Sequence, residues 1–117
     1  MSYMFYECSL MEELNLSNFD SSNVIDMEAM FNECNKLKEI KGINKFNTSK
    51  VTKMNSMFQE CNELEHLNLS NFNTENVTYI QNIFNNCRKI KEIKGINNFN
   101  TSKVINMKAM FNECYEL

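Results

Sequence analysis

Apolar residues recur along the chain in columns that repeat every 26 or 27 residues. The five cysteines lie 26, 27, 26 and 27 residues apart, and a Met-Phe or Ile-Phe pair precedes each of them at the same offset. Other apolar columns follow at fixed distances from each cysteine. Examples are Leu14, Ile40, Leu67 and Ile93, then Phe19, Phe46, Phe72 and Phe99, then Val24, Val51, Val77 and Val104. So many aligned columns predict a repeat protein.

The repeat units are of two alternating kinds. The short kind reads Leu-Asn-Leu-Ser-Asn-Phe at residues 14–19 and 67–72, and the long kind has one more residue, at 40–46 and 93–99. Gly42 and Gly95 lie at the insertion, where a bulge or tight turn favours a residue that tolerates positive φ. The full period is therefore two units, or 53 residues. We delimit the units as residues 4–29, 30–56, 57–82 and 83–109, with a partial unit at 110–117.

Within one unit the apolar spacing predicts a helix followed by a strand. The spacings 3, 3, 1, 3 and 3 join Val51, Met54, Met57, Phe58, Cys61 and Leu64. This stripe is typical of an amphipathic α-helix. Leu67 and Leu69 then alternate with His66 and Asn68, which predicts a short strand with the leucines inward. A short helix and a short strand in each of about four coils predict an α/β solenoid with a parallel sheet on one face.

Composition and charge narrow the class of protein. The chain has 117 residues, of which 43% are hydrophobic and 23% charged, so we expect one folded repeat domain over residues 1–117. The net charge of −3 argues against a nucleic-acid partner. No stretch approaches the roughly 20 apolar residues of a membrane span. The first residues lack the basic and long apolar regions of a signal peptide.

The cysteines are interpreted as reduced core side chains. An odd number, five, prevents complete pairing within the chain. On predicted helices packed about 8–10 Å apart, the Cα atoms would lie beyond the roughly 7 Å limit for a disulfide. A zinc site is not indicated, because the chain has no Cys-x-x-Cys or Cys/His cluster. His66 follows Cys61 by five residues, but glutamate occupies its column in the other units, so we expect a surface histidine.

No motif for catalysis is present. The chain shows no nucleophile–base pair, carboxylate dyad or phosphate loop. We therefore expect no enzyme activity, no catalytic or metal-binding residues, no cofactor and no small-molecule substrate.

The repeat resembles a known family. Leu64-x-x-Leu67-x-Leu69-x-x-Phe72 is close to the leucine-rich repeat core, with Phe where Asn or Cys usually stands. The whole unit, Asn-Phe-Asn-Thr-Ser-Lys-Val-x-x-Met-x-x-Met-Phe-x-x-Cys-x-x-Leu, resembles the 26-residue repeat of the BspA-like bacterial surface proteins, a group also found in mycoplasma lipoproteins. The family's usual Gly before the Cys is replaced at Glu33, Glu60, Asn86 and Glu113. The resemblance implies a right-handed solenoid, a binding or adhesion role, and a cell-surface or secreted location, although no signal peptide or lipid anchor is visible.

In leucine-rich repeats the parallel sheet lines the concave side, and its outward side chains contact the partner. By position these residues are Glu13, Asn15, Glu39, Lys41, His66, Asn68, Glu92 and Lys94. They form our candidate protein-binding face. The set is polar, mixed in sign and without aromatic residues, whereas binding hot spots are enriched in Trp, Tyr and Arg. An ordinary solvated sheet face is the alternative interpretation.

Charged and asparagine residues also follow the repeat. Glu12, Lys38, Glu65 and Lys91 share one column, which predicts ion pairs between neighbouring units and leaves a charged recognition strip as a compatible alternative. Asparagine occupies 21 positions and creates five glycosylation sequons, which its role in turns and caps explains.

These observations predict a module that binds a protein partner. The alternative is a structural unit that contacts copies of itself or a larger assembly, because both ends of the chain fall inside a repeat. The chain would then be part of a longer array, a unit that stacks end to end, or a short product with frayed ends.

Overall fold

Short strands occur at the same place in each of the four units of the computed structural model, which describes residues 1–117. The strands are β1 (Glu13–Asn15), β2 (Glu39–Lys41), β3 (His66–Asn68) and β4 (Glu92–Lys94). A 3-10 helix follows each even-numbered strand, at Ile43–Lys45 and Ile96–Asn98. The predicted strand of each unit is confirmed, with an apolar side chain at its centre.

The strands pair in parallel, but as two separate pairs. β1 pairs with β2, aligning Leu14 with Ile40, and β3 pairs with β4, aligning Leu67 with Ile93. No backbone hydrogen bond joins β2 to β3, so the expected single sheet is two sheets of two strands each. The strand side of the molecule is therefore interrupted between the second and third units.

The two glycines lie where each long unit approaches the backbone of the short unit before it. Gly42 and Gly95 adopt left-handed conformations, with φ of 81° and 85°, as the insertion predicts. A Cβ atom on Gly42 would lie 2.5 Å from the backbone nitrogen of Ser17, and one on Gly95 would lie 2.5 Å from the Cα of Ser70. Each even unit thus contacts the odd unit before it, and the 53-residue period corresponds to one such pair.

The predicted amphipathic helix is wrong. Residues 51–64 contain no α-helix, and overlapping turns occupy this region in every unit. The amide groups of Met57 and Cys61 donate to carbonyls only three residues earlier. We call the five stretches that end at a cysteine the turn segments, at residues 1–8, 27–34, 54–61, 80–87 and 107–114. The structure contains no helix with the length and apolarity that crossing a membrane requires.

Bonds between units take the place of helical bonds. Met54 N donates to Tyr79 O, and Phe58 N donates to Ile83 O, each at 2.9 Å. Three such bonds join every two neighbouring turn segments, and at the last three junctions a fourth reaches the residue just before the next segment. A helix would use these amide groups internally. The 3, 3, 1, 3, 3 spacing cannot separate the two structures, because three-residue turns also return every third side chain to the same side.

The turn segments require unusual backbone conformations. Ten residues other than glycine have positive φ, two in each turn segment. They occupy the position before each cysteine, such as Glu60 at 60°, and the position four residues earlier, such as Ser56 at 56°. Glycine adopts such conformations without strain, and no glycine occupies these ten positions.

Apolar columns fill the core between the strands and the turn segments. One cluster of 25 buried residues includes Phe31, Phe58 and Phe84, which are fully buried. With Phe5 and Phe111 these rings form a continuous stack, whose neighbouring centroids lie 5.4–5.7 Å apart. The columns are more exposed in the first and last units, where Phe19 is 41% exposed.

The cysteines are free and also form a column. Cys61 Sγ donates to Phe31 O at 3.3 Å, and Cys87 Sγ donates to Phe58 O at 3.0 Å. The disulfide argument from helix spacing is wrong, because no helices carry these residues. Each thiol from Cys34 onward is instead held by a carbonyl of the preceding unit.

Hydroxyl and amide side chains complete the contacts between units. Thr48 is buried, and its Oγ1 both donates to Asn73 O and accepts from Asn73 N, at 3.0 and 2.8 Å. Asn47, Asn68 and Asn100 accept the amide proton two residues later, which confirms the turn role expected of asparagine.

Candidate functional site

The candidate protein-binding face lies on the four strands. Its eight residues flank the strand centres, while Ile40, Leu67 and Ile93 at those centres are buried. Seven of the eight are exposed and Asn68 is half-buried. We call these eight residues the strand face. The structure brings them together in two groups, one on each strand pair.

Charges on the first strand pair compensate one another. Lys41 Nζ lies 3.6 Å from Glu13 Oε2 and 3.5 Å from Glu39 Oε2. Both carboxylates therefore share one ammonium group. These side chains are about half exposed, so each contact contributes less than about 1 kcal/mol to stability.

The second strand pair has a different arrangement. His66 replaces Glu13 in its column, and His66 Nδ1 lies 3.9 Å from Glu92 Oε2. Lys94 occupies the column of Lys41 but forms no ion pair. One amino-acid difference thus leaves a lysine on the strand face without a carboxylate.

A groove of about 480 Å³ opens where β2 and β3 fail to pair. Ile40, Ile43 and Leu67 provide its apolar lining. Its polar lining consists of Lys38, Glu39, Asn44, His66, Asn68, Glu92 and Lys94. Beside it, Asn71 Nδ2 donates to Asn44 O at 2.8 Å across the same junction. Five residues of the strand face line this groove.

Part of the groove escaped prediction from the sequence. Lys38, Ile43 and Asn44 are not part of the candidate face. The extra residue of the long unit is the sequence feature that could have indicated Ile43 and Asn44. That insertion places a glycine turn and a 3-10 helix after β2. It thereby brings Ile43 and Asn44 to the junction with the next unit.

The predicted ion-pair column is confirmed within the strand pairs. Lys38 Nζ lies 2.7 Å from Glu12 Oε2, and Lys91 Nζ lies 2.8 Å from Glu65 Oε2. The hydrogen bond from each lysine lowers the pKa of its glutamate and raises the pKa of the lysine. No ion pair joins Lys38 to Glu65 across the interrupted junction.

The three buried thiols lie in an environment that disfavours the thiolate. Burial raises the pKa of Cys34 to about 12 and raises the pKa of Cys61 and Cys87 well above the usual range. These groups are therefore protonated at neutral pH, whereas nucleophilic attack requires a thiolate. No group of three or more His, Cys, Asp or Glu side chains is arranged to hold a metal ion.

The repeat matches a family model over its whole length. The model described as "Mycoplasma protein of unknown function, DUF285" matches residues 1–117. The chain belongs to this family. This description names no activity for the family. The strand face and its groove are therefore the features from which we infer a function. No curated protein matches this DUF285 chain.

Among solved structures, the DUF285 chain is similar to the T. pallidum leucine-rich repeat protein. The match covers 99% of this chain and 69% of that chain, at 14% sequence identity and a TM-score of 0.37.

Proposed function

We propose that this DUF285 chain is a non-enzymatic module that binds a protein partner through the strand face. The proposal includes a right-handed, leucine-rich-repeat-like solenoid of about four coils, related to the BspA-like group. The observation that carries it is the groove between β2 and β3, which combines an apolar floor with exposed charged side chains. Binding sites are concave and place convergent polar groups beside apolar surface.

Partner capture with matched variants tests this function. The strand-face variant combines Glu39→Ala, His66→Ala and Lys94→Ala, all on exposed side chains. We expect the wild-type chain, immobilised and exposed to an extract of its source cells, to retain a specific protein that the strand-face variant loses. The captured protein is then purified, and its Kd for both chains is measured by calorimetry.

A control variant alters three exposed charges elsewhere: Lys50→Ala, Glu75→Ala and Lys103→Ala. It should bind the purified partner as the wild type does. The function is contradicted if the control variant loses the partner as completely as the strand-face variant, or if no purified partner binds the wild type.

Cell-surface adhesion is the finer part of the proposal and rests on the BspA-like resemblance. The intact mass of the native protein, measured without reduction, tests it. Attached glycan or lipid, or a mass much larger than 13.8 kDa, supports a surface location. A mass near 13.8 kDa without additions would count against it.

A structural role as a stacking unit is the second candidate. Met107 and Phe111 expose 52% and 41% of their surface at the last turn segment, and Leu117, three residues after it, exposes 53%. Head-to-tail contacts between copies are heterologous and grow with concentration. Sedimentation velocity over a range of concentrations should then show increasing mass, which Phe111→Glu should abolish. A monomer at all concentrations would contradict this candidate.

A further inference from the structure

Lys94 is the charged group in the groove that lacks a partner. The other charged lining residues are each within 4 Å of an opposite group: Lys38 with Glu12, Glu39 with Lys41, and Glu92 with His66 when the imidazole is protonated. Lys94 forms neither an ion pair nor a side-chain hydrogen bond. Lys94 is therefore the one charged group of the lining with no ionisable side chain of the opposite kind within 4 Å.

The repeat itself shows why Lys94 is unpaired. In the first strand pair, Lys41 lies within 4 Å of both Glu13 and Glu39. In the second pair, the position of Glu13 belongs to His66, whose ring faces Glu92 at 3.9 Å. Histidine at this position removes one carboxylate from the column, and no ion pair joins Lys94 to Glu92, so Lys94 is available to an external carboxylate.

Asn68 adds hydrogen-bond donors to the same site. Its Oδ1 accepts from Ser70 N at 3.1 Å and from Ser70 Oγ at 2.7 Å. These bonds occupy the acceptor end of the amide and fix its orientation, while Nδ2 has no acceptor in the chain. An amide N–H and an ammonium group together match the acceptor-only chemistry of a carboxylate.

We propose that the groove between β2 and β3 binds an acidic side chain of a partner peptide. Lys94 and Asn68 hold the carboxylate, and the peptide lies in the groove between the two strands. The volume of about 480 Å³ lies in the range of small-ligand clefts, roughly 300–1,000 Å³. This inference rests on the proposed function and names the chemistry of the partner.

Titration with two short peptides, followed by NMR, tests the inference. The probes are acetyl-Leu-Glu-Leu-amide and its glutamine counterpart, which has nearly the same shape and no charge. We expect the glutamate peptide to shift the amide resonances of 66–68 and 92–94. It should bind about fivefold more tightly than the glutamine peptide, as an exposed charge pair of about 1 kcal/mol permits.

Three variants sharpen the test. Lys94→Gln should remove the preference for glutamate, and Lys103→Gln, at an exposed lysine outside the strand face, should leave it unchanged. His66→Glu recreates the first pair by giving Lys94 an internal carboxylate, so it should weaken the glutamate peptide as Lys94→Gln does. Glutamate is already present in this column at Glu13, Glu39 and Glu92, so the fold is expected to tolerate this variant.

Equal binding of the two peptides at 66–68 would overturn the carboxylate preference while leaving the strand face as a peptide-binding surface. Equal losses in Lys103→Gln and Lys94→Gln would also overturn it. If neither peptide shifts these resonances, the inference fails, and the proposed function is decided separately by the purified partner and the strand-face variant.

Discussion

The turn segments and the strands differ in how they join one unit to the next. Backbone hydrogen bonds connect turn segments at every junction, and the phenylalanine stack runs through all of them. The strands pair only at the first and third junctions. The turn-segment side of each unit therefore holds the stack together. The strand side is thereby free to open a groove between the second and third units without breaking the core.

The backbone conformations that the turn segments require are unfavourable in free energy. Left-handed conformations of residues other than glycine cost about 1–2 kcal/mol each, and the chain contains ten of them. Inter-unit hydrogen bonds and the buried apolar columns offset this cost. Stability should therefore respond most strongly to changes in the turn segments, and changes on the strand face should act mainly on recognition.

The largest effect is expected from Phe58→Ala, which breaks the ring stack at its centre. Phe58 is fully buried between Phe31 and Phe84. Removing such a ring leaves a cavity and costs about 3–5 kcal/mol of the free energy of unfolding. Urea denaturation measures this loss, and Phe111→Ala, at the exposed end of the same stack, should lose less than half as much. A loss below about 1 kcal/mol at Phe58 would contradict its place in the core.

Gly95→Ala tests what holds the strands in pairs. The new Cβ would lie 2.5 Å from Ser70 Cα at a φ of 85°, which combines a clash with a left-handed conformation. We expect a loss of about 2–4 kcal/mol, together with faster hydrogen exchange of the Leu69 amide that donates to Lys94 O. Asn98→Ala, on an exposed side chain of the same 3-10 helix, is the control. Unchanged exchange at Leu69 would mean that the glycine turn does not maintain the pair.

A gain in stability is expected from Glu60→Gly. Glu60 has a φ of 60° and forms no ion pair, so glycine relieves the strain of the left-handed conformation. The net gain should be about 0.5 kcal/mol after the entropy cost of glycine. Gln59→Gly, one residue earlier and without positive φ, should instead destabilise the chain by about 0.5–1 kcal/mol. Thermal unfolding of both variants should show Tm changes of opposite sign, and changes of the same sign would contradict the strain.

The smallest effect concerns the exposed ion pairs. The hydrogen bond from Lys91 lowers the pKa of Glu65, so the folded state favours the ionised carboxylate more than the unfolded state does. The stabilisation is present above the ordinary pKa of glutamate and is lost as pH falls through the lowered value. Glu65→Gln should therefore flatten the acid limb of the stability–pH curve. Glu75→Gln, at an exposed position outside the ion pairs, should leave the acid limb unchanged. If wild type and Glu65→Gln have the same acid limb, the Glu65–Lys91 ion pair does not form in solution.

The sequence predicts correctly those features that depend only on which residue type stands at which position of the repeat. The apolar columns, the central residues of the strands and the Glu–Lys column follow from spacing alone. The conformation of residues 51–64 does not follow from spacing. Side-chain spacing does not show whether a backbone amide donates to a carbonyl of its own unit or to one of the next unit. Positive φ at Glu60 or Ser56 could not be recognised either, since neither residue type requires it.

The groove escaped prediction for a related reason. It arises from a hydrogen-bond pattern that is absent between β2 and β3, and a repeated sequence suggests uniform stacking. His66 was identified as the exception in its column. Its consequence depends on distances between Lys94 and the neighbouring carboxylates that only three-dimensional structure provides.

The one-directional hydrogen bonds of the turn segments also give the stack an electrical polarity. The peptide group between Met57 and Phe58 accepts from the preceding unit through its carbonyl and donates to the following unit through its amide. Alternate peptide groups repeat this orientation, so their dipoles add along the stacking direction, as they do in an α-helix. The amide side of each peptide group points toward the following unit and the carbonyl side toward the preceding unit. Negative charge is therefore favoured in the direction of the amides and positive charge in the direction of the carbonyls.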